Sequence, residues 1–253
     1  MFAAMRAWGS FLGPCESLAG MKLDIGAPQG GVPKSLDERV ASVRARIAAA
    51  ATAAGRDPSS VRLLGVAKKQ PLQAVMDAVA LGIDEIGESY VQEARLKYAG
   101  LQPMPRLRKH FIGHVQTNKA KAIVECFDVV QSIDRIEAGC AIGRASKTAG
   151  KPMTVLLQLN ISPTERFGVA PRSAVELAAQ LREEGLLVDG VMAIGPHAAD
   201  RGEIERAFTV AAQTFQRVGG TTLSIGMSGD FREAIVCGST MVRIGTALFG
   251  ARA

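Results

Sequence analysis

From Ser35 onward, short apolar runs alternate with longer stretches in which apolar residues recur at helical spacing. Val40, Val43 and Ile47 lie behind Ser35-Leu36-Asp37-Glu38, a serine followed by acidic residues that reads as an N-cap and first turn. That helix ends near Gly55. The pattern then predicts a strand over 61–67, a helix over 71–82, a strand over 84–87 and a helix over 89–99. A strand over 109–113, a helix over 117–125, a strand over 127–132 and a helix over 134–148 follow. The second half repeats the scheme, with strands over 153–160, 186–194, 221–225 and 240–244 and helices over 171–184, 201–218 and 229–237. Runs such as Val155-Leu156-Leu157-Gln158-Leu159 are nearly all apolar, as parallel strands covered on both faces must be. About eight strands, each followed by a helix or turn, predict an α/β fold made of a single (β/α)8 barrel. An open doubly wound sheet is the alternative. It fits less well, because the candidate site residues come from the ends of many strands, the first and the last included.

The first 34 residues break this rhythm. Their short apolar stretch through Trp8, Phe11 and Leu12 is interrupted by Pro14 and Glu16, which makes a poor signal peptide. Gly26, Pro28, Gly30, Gly31 and Pro33 then form a connector, and Met21 offers an alternative start. The expectation is a disordered extension over 1–34 and a ligand-binding barrel domain over 35–253.

Composition narrows the function classes. Thirty Lys and Arg against 24 Asp and Glu give a net charge of +6, but the basic residues are scattered among acidic ones. With two Tyr and one Trp there is no stacking platform for single strands, so a nucleic-acid role is not expected and attraction of an anionic small ligand is. Cys15, Cys126, Cys140 and Cys237 form no paired motif, which points to free thiols in a reducing cytoplasm rather than to zinc. No stretch is apolar for a membrane-spanning length.

Lys68 ends the most apolar strand-like run, Val61-Arg62-Leu63-Leu64-Gly65-Val66-Ala67-Lys68. Withdrawal from water and the neighbouring charge of Lys69 both favour a neutral amine, which is nucleophilic and condenses with aldehydes. Far downstream, Gly226-Met227-Ser228-Gly229-Asp230 opens a helix and Arg243-Ile244-Gly245-Thr246 closes the last strand. Backbone N–H groups with the hydroxyls of Ser228 and Thr246, and close approach at Gly245, suit a phosphate after strands seven and eight of a barrel. A plain N-cap at Ser228 or Asp230 would read the same way. A reactive lysine with a phosphate cradle suggests a ligand bearing an aldehyde and a phosphate, with pyridoxal 5′-phosphate (PLP) the candidate. Ser89 with Gln92 and Glu93 fits a capping arrangement. His110 and His114 have metal-pair spacing, but on a strand and without a third ligand, so no metal is expected.

Taken in order, these segments resemble the YggS/PLPBP (PROSC) family of pyridoxal phosphate homeostasis proteins over roughly Ser35 to Arg252. The matching stretches are Leu64-Gly65-Val66-Ala67-Lys68, Gly87-Glu88-Ser89-Tyr90-Val91-Gln92-Glu93, His110-Phe111-Ile112-Gly113 with Gln116-Thr117-Asn118-Lys119, and Leu223-Ser224-Ile225-Gly226-Met227-Ser228. The closing stretch, Gly238 to Gly250, is the most specific. The resemblance implies a barrel like the N-terminal domain of alanine racemase, the type III fold of PLP proteins, holding PLP as a Schiff base on Lys68. It also implies phosphate contacts from Ser228, Gly245 and Thr246, with Arg243 facing the pyridine nitrogen and weakening the cofactor as an electron sink. Ser89, Gly229 and Arg166 stand where the family usually has asparagine, aspartate and lysine.

The expected function is therefore vitamin B6 homeostasis in the cytoplasm by a monomer that holds PLP without turnover. Amino acids (as an external aldimine) and PLP-dependent apoenzymes are the expected further partners. The alternative is a PLP enzyme such as an amino-acid racemase, which would need a tyrosine from a second domain where this chain ends at Ala253. A sugar-phosphate aldolase would need a carboxylate–lysine relay that is not evident.

Overall fold

The computed structural model describes residues 35–99, 104, 106–162, 167–197 and 200–250; the extension expected over 1–34 lies outside them. Helix α1, Leu36–Ala53, begins where the capping signal puts it. The Ser35 hydroxyl accepts the Glu38 N–H, and the Glu38 carboxylate accepts the Ser35 N–H in return. Its buried stripe is Val40, Val43 and Ile47, completed by Ala50 and Ala51.

Eight strands follow: β1 Arg62–Val66, β2 Glu85–Glu88, β3 Arg108–Phe111, β4 Val129–Ile133, β5 Thr154–Leu159, β6 Leu187–Ala193, β7 Thr222–Ser224 and β8 Met241–Ile244. They pair in parallel in chain order, and β8 closes onto β1. After each strand comes a helix: α2 Leu72–Ala80, α3 Val91–Lys97, α4 Ala120–Cys126, α5 Ile136–Ala149, α6 Ala174–Glu183, α7 Arg201–Val218, α8 Phe231–Val236 and α9 Thr246–Phe249. The (β/α)8 barrel expected from the pattern is therefore present, with α9 as its eighth helix, one that the apolar pattern does not predict. Four residues are too few to show a period.

Apolar side chains fill the layer between wall and helices, from Ile86 and Val242 on the α1 side to Val130, Leu157 and Val191 opposite. The barrel interior is different, because a chain of polar groups crosses it. Arg62 donates to Thr222 Oγ1 at 2.6 Å and to Glu85 Oε1 at 3.0 Å. Glu85 Oε2 and His110 Nε2, which have no other partner among the described residues, lie 2.8 Å apart. His110 Nδ1 lies 2.9 Å from Gln131 Nε2, Gln131 Oε1 accepts from Ser224 Oγ at 2.7 Å, and Arg243 Nη1 reaches Ser224 Oγ at 3.0 Å. Since β4 and β7 are not neighbours in the sheet, the Gln131–Ser224 bond must pass through the middle of the barrel.

The donors fix the protonation states. The Gln131 amide donates to Nδ1, so the His110 hydrogen sits on Nε2 and points at Glu85. Burial pushes the His110 pKa down against the pull of Glu85. Burial also opposes ionisation of Glu85, but His110 and Arg62 outweigh it and hold the carboxyl below its usual range. A neutral histidine beside an ionised glutamate is the consistent state. Because the folded pKa of His110 is depressed, its stabilisation is complete above the unfolded value of about 6.5 and is lost as pH falls below it. The Glu85 contribution disappears only at lower pH, below about 4.3. Denaturation midpoints should therefore fall between neutral and mildly acidic pH, with a shallower slope for His110→Gln. Parallel slopes for the two proteins would remove His110 as the cause.

Candidate functional site

The seam where β8 closes onto β1 brings the sequence-separated candidates together. Arg243 lies opposite Leu64 in register, and its backbone N–H donates to Gly226 O at 2.9 Å, which ties β8 to the loop after β7. Gly245 follows β8, and a Cβ built on it would stand 3.5 Å from the Val66 carbonyl oxygen, two residues before Lys68. Lys68, Ser228, Arg243, Gly245 and Thr246 thus share the C-terminal rim of three adjacent strands, the face on which barrels carry their sites.

The loop after β7 depends on Gly226. Its φ is +93°, and a Cβ there would meet Ala234 Cβ at 2.6 Å and Phe231 Cα at 2.9 Å. Only glycine lets the chain turn there while α8 packs close. Asp230 takes the N-cap position of α8, yet its carboxylate does not cap that helix; it accepts the Met227 N–H at 2.5 Å. Ser228 does not cap it either. The capping alternative therefore fails for both residues, and the half-buried Ser228 hydroxyl has no hydrogen-bond partner among the described residues. The exposed Thr246 hydroxyl likewise has no hydrogen-bond partner among the described residues. The backbone N–H groups of Ser228, Gly229, Gly245 and Thr246 likewise have no backbone partner among the described residues. Donors at a loop–helix junction and at the start of a helix are suited to an anion with several acceptor oxygens.

Arg243 is fixed from behind. Nη1 donates to Ser224 O at 2.6 Å and to Ser224 Oγ, and Nη2 donates to Ala193 O at 2.8 Å. Burial pushes its pKa down to about 10, with nearby Asp230 working against that shift, so the guanidinium is still charged at neutral pH.

Lys68 itself is half-buried just past β1, and its neighbours are held by groups that the sequence reading did not identify. The Lys97 ammonium donates to Ala67 O at 2.8 Å and to Glu88 Oε1 at 2.7 Å, and it pairs with Glu93 at 3.0 Å. Glu93 Oε1 accepts the Lys69 N–H at 2.6 Å, and Tyr98 donates to Glu88 at 3.0 Å. Glu93 and Lys97 are four apart on α3 and look like a surface pair in sequence; their partners around Lys68 are distant along the chain. The capping arrangement expected at Ser89 does not form. Tyr90 is the N-cap of α3 and makes no side-chain cap bond, and the Glu93 carboxylate goes to Lys69 and Lys97 instead.

The two histidines of β3 and its loop part company. His110 belongs to the interior chain, while His114 stacks on Phe167 with ring centroids 4.1 Å apart. No group of metal-ligating side chains occurs among the described residues, and Arg166 lies outside them.

An eight-stranded parallel barrel with a lysine past β1 and unpaired donors past β7 and β8 is a barrel of the alanine racemase N-terminal domain class, whose family model matches residues 39–253. Within that class the chain belongs to the family of pyridoxal phosphate homeostasis proteins. The Pseudomonas aeruginosa protein of that name is 42% identical over 222 residues, covering 86% of this chain and 96% of the relative. PipY of Synechococcus elongatus, solved with PLP bound, superposes with a TM-score of 0.72 at 32% identity, covering 85% of this chain and all of PipY. Alanine racemase of Clostridium difficile shares the fold alone, with a TM-score of 0.58 at 16% identity over 75% of this chain and 52% of the racemase.

Proposed function

We propose that this protein holds PLP as a Schiff base on Lys68, with its phosphate in the cradle of Ser228, Gly245 and Thr246 and its ring nitrogen toward Arg243. The observation that carries this reading is the set of unpaired donors past β7 and β8, on strands contiguous with the one that bears Lys68. The relative named a pyridoxal phosphate homeostasis protein and PipY with its bound PLP support the choice of ligand. Bound PLP supplies an aldehyde that condenses with a primary amine and releases one water. Lys68 supplies that amine, the cradle hydrogen-bonds and orients the phosphate, and Arg243 sets the environment of the ring.

The role proposed is cofactor homeostasis without substrate turnover, in a cytoplasmic monomer that could exchange PLP with amino acids or with apoenzymes. Residues 35–253 form the binding domain in this reading, with 1–34 outside it. Among the described residues Cys126 and Cys140 are half-buried free thiols, in keeping with a reducing compartment. No described helix is long and apolar enough to cross a membrane.

Ser228→Ala tests the cradle. It removes one donor to a charged acceptor, worth about 1.5–3 kcal/mol, so PLP affinity should fall by roughly tenfold to a hundredfold. Pyridoxal, which lacks the phosphate, should lose much less. Equal losses for the two ligands would mean that Ser228 does not contact the phosphate.

A further inference from the structure

We propose that Lys97 is a positioning residue for Lys68, a reading that rests on Lys68 as the attachment point for PLP. The Lys97 ammonium sits almost fully buried at the end of α3 and has three hydrogens for three acceptors: Ala67 O, Glu88 Oε1 and Glu93 Oε1. Ala67 immediately precedes Lys68. On the other side, the Lys69 N–H is taken by the same Glu93 oxygen that Lys97 holds. Among the described residues Lys69 is the one non-glycine with positive φ, at 61°. An L residue adopts that conformation only where its surroundings impose it. Here the Glu93 carboxylate is the imposing group, and Lys97 fixes the carboxylate. The backbone is thus clamped on both sides of Lys68 by one buried ammonium.

The array is a poor device for stability alone. Glu88 is fully buried, burial raises its pKa against the opposing effects of Lys97 and Tyr98, and its second oxygen has no partner among the described residues. Buried ion pairs contribute little net stability because desolvation offsets the attraction. They do fix geometry, and geometry is what this lysine needs. A side chain with four rotatable bonds gains reactivity toward a held aldehyde when its Cα–Cβ direction is fixed. The condensation joins Lys68 Nζ to the aldehyde carbon as C=N, and the aldehyde oxygen leaves as water with the two amine hydrogens.

The test separates seating of the lysine from binding of the phosphate. Lys97→Met, Glu93→Leu and Glu93→Gln would each be compared with wild type in two measurements. The first is affinity for pyridoxine 5′-phosphate, which carries an alcohol in place of the aldehyde. The second is the rate and extent of the visible absorption that develops with PLP. Lys97→Met and Glu93→Leu should keep the pyridoxine phosphate affinity but lose about tenfold in Schiff-base formation, the size of one charge-assisted backbone contact. Glu93→Gln, whose amide oxygen still accepts the Lys69 N–H, should recover most of that loss. Because Lys97→Met strands a buried carboxylate, the double variant Glu88→Gln with Lys97→Met gives the same comparison without a lone charge, and the same selective loss is expected of it. Wild-type behaviour of the folded variants toward PLP, or equal losses for both ligands, would overturn the proposal. Wild-type protein that binds pyridoxine phosphate but forms no Schiff base overturns it together with the role of Lys68. Binding of neither ligand overturns the PLP reading and this inference with it.

Discussion

Borohydride reduction of the purified protein should fix the cofactor on Lys68 alone, and Lys68→Ala should abolish the Schiff-base absorption band of the holoprotein outright. The expectation rests on placement. Lys68 is half-buried at the rim where β1 meets β8, two residues past Val66, whose carbonyl oxygen would stand 3.5 Å from a Cβ built on Gly245. Lys69, the adjacent amine, is exposed, and its backbone is held in a left-handed conformation. Successive residues leaving a strand point in different directions, so only one of the two lysines can face the cradle. Lys68→Ala should nonetheless bind the free cofactor, since the donors after β7 and β8 are untouched. Its affinity for pyridoxine 5′-phosphate should match that of wild type. Peptide mapping that finds the reduced adduct on Lys69 would move the attachment point and undo the assignment.

Much of this was legible in the sequence because parallel strands covered on both faces leave continuous apolar runs. All eight strands lie within two residues of where those runs place them. The five candidates also lie together as the strand order implied, on the rim shared by β7, β8 and β1. The polar interior was not legible. Arg62, Glu85, His110 and Gln131 come from four separate strands, and nothing local marks them as parts of one chain across the barrel. The two capping signals make the same point more sharply. Ser35 with Glu38 and Ser89 with Gln92 or Glu93 have similar spacing, but only the first pair caps its helix. At Ser35 the Glu38 carboxylate has the neighbouring N–H to accept. At Ser89 a buried ammonium and the strained Lys69 backbone compete for Glu93 and win.

Holoprotein incubated with L-amino acids in deuterated water should show no exchange at Cα–H above that of free PLP, and this is the result that separates a holder from an enzyme. Proton loss at Cα leaves charge that a bound PLP absorbs well only when its ring nitrogen is protonated. Arg243 is the residue proposed to face that nitrogen, and it is a poor source of the proton. Even with its pKa pushed down to about 10 by burial, the guanidinium stays cationic, and a cation opposes a second positive charge beside it. Nor can it swing aside, because its bonds to Ser224 and Ala193 anchor it to β7 and β6, and Gln131 holds Ser224 in turn. Amine exchange at the aldehyde carbon needs no electron sink, so under the function proposed above an amino acid should still exchange with Lys68 and be released unchanged. Reversible custody of a reactive aldehyde is the behaviour this arrangement supports. Rapid Cα–H exchange by wild type that vanishes in Lys68→Ala would show that the ring nitrogen is no barrier, and would replace homeostasis with catalysis as the function of the site.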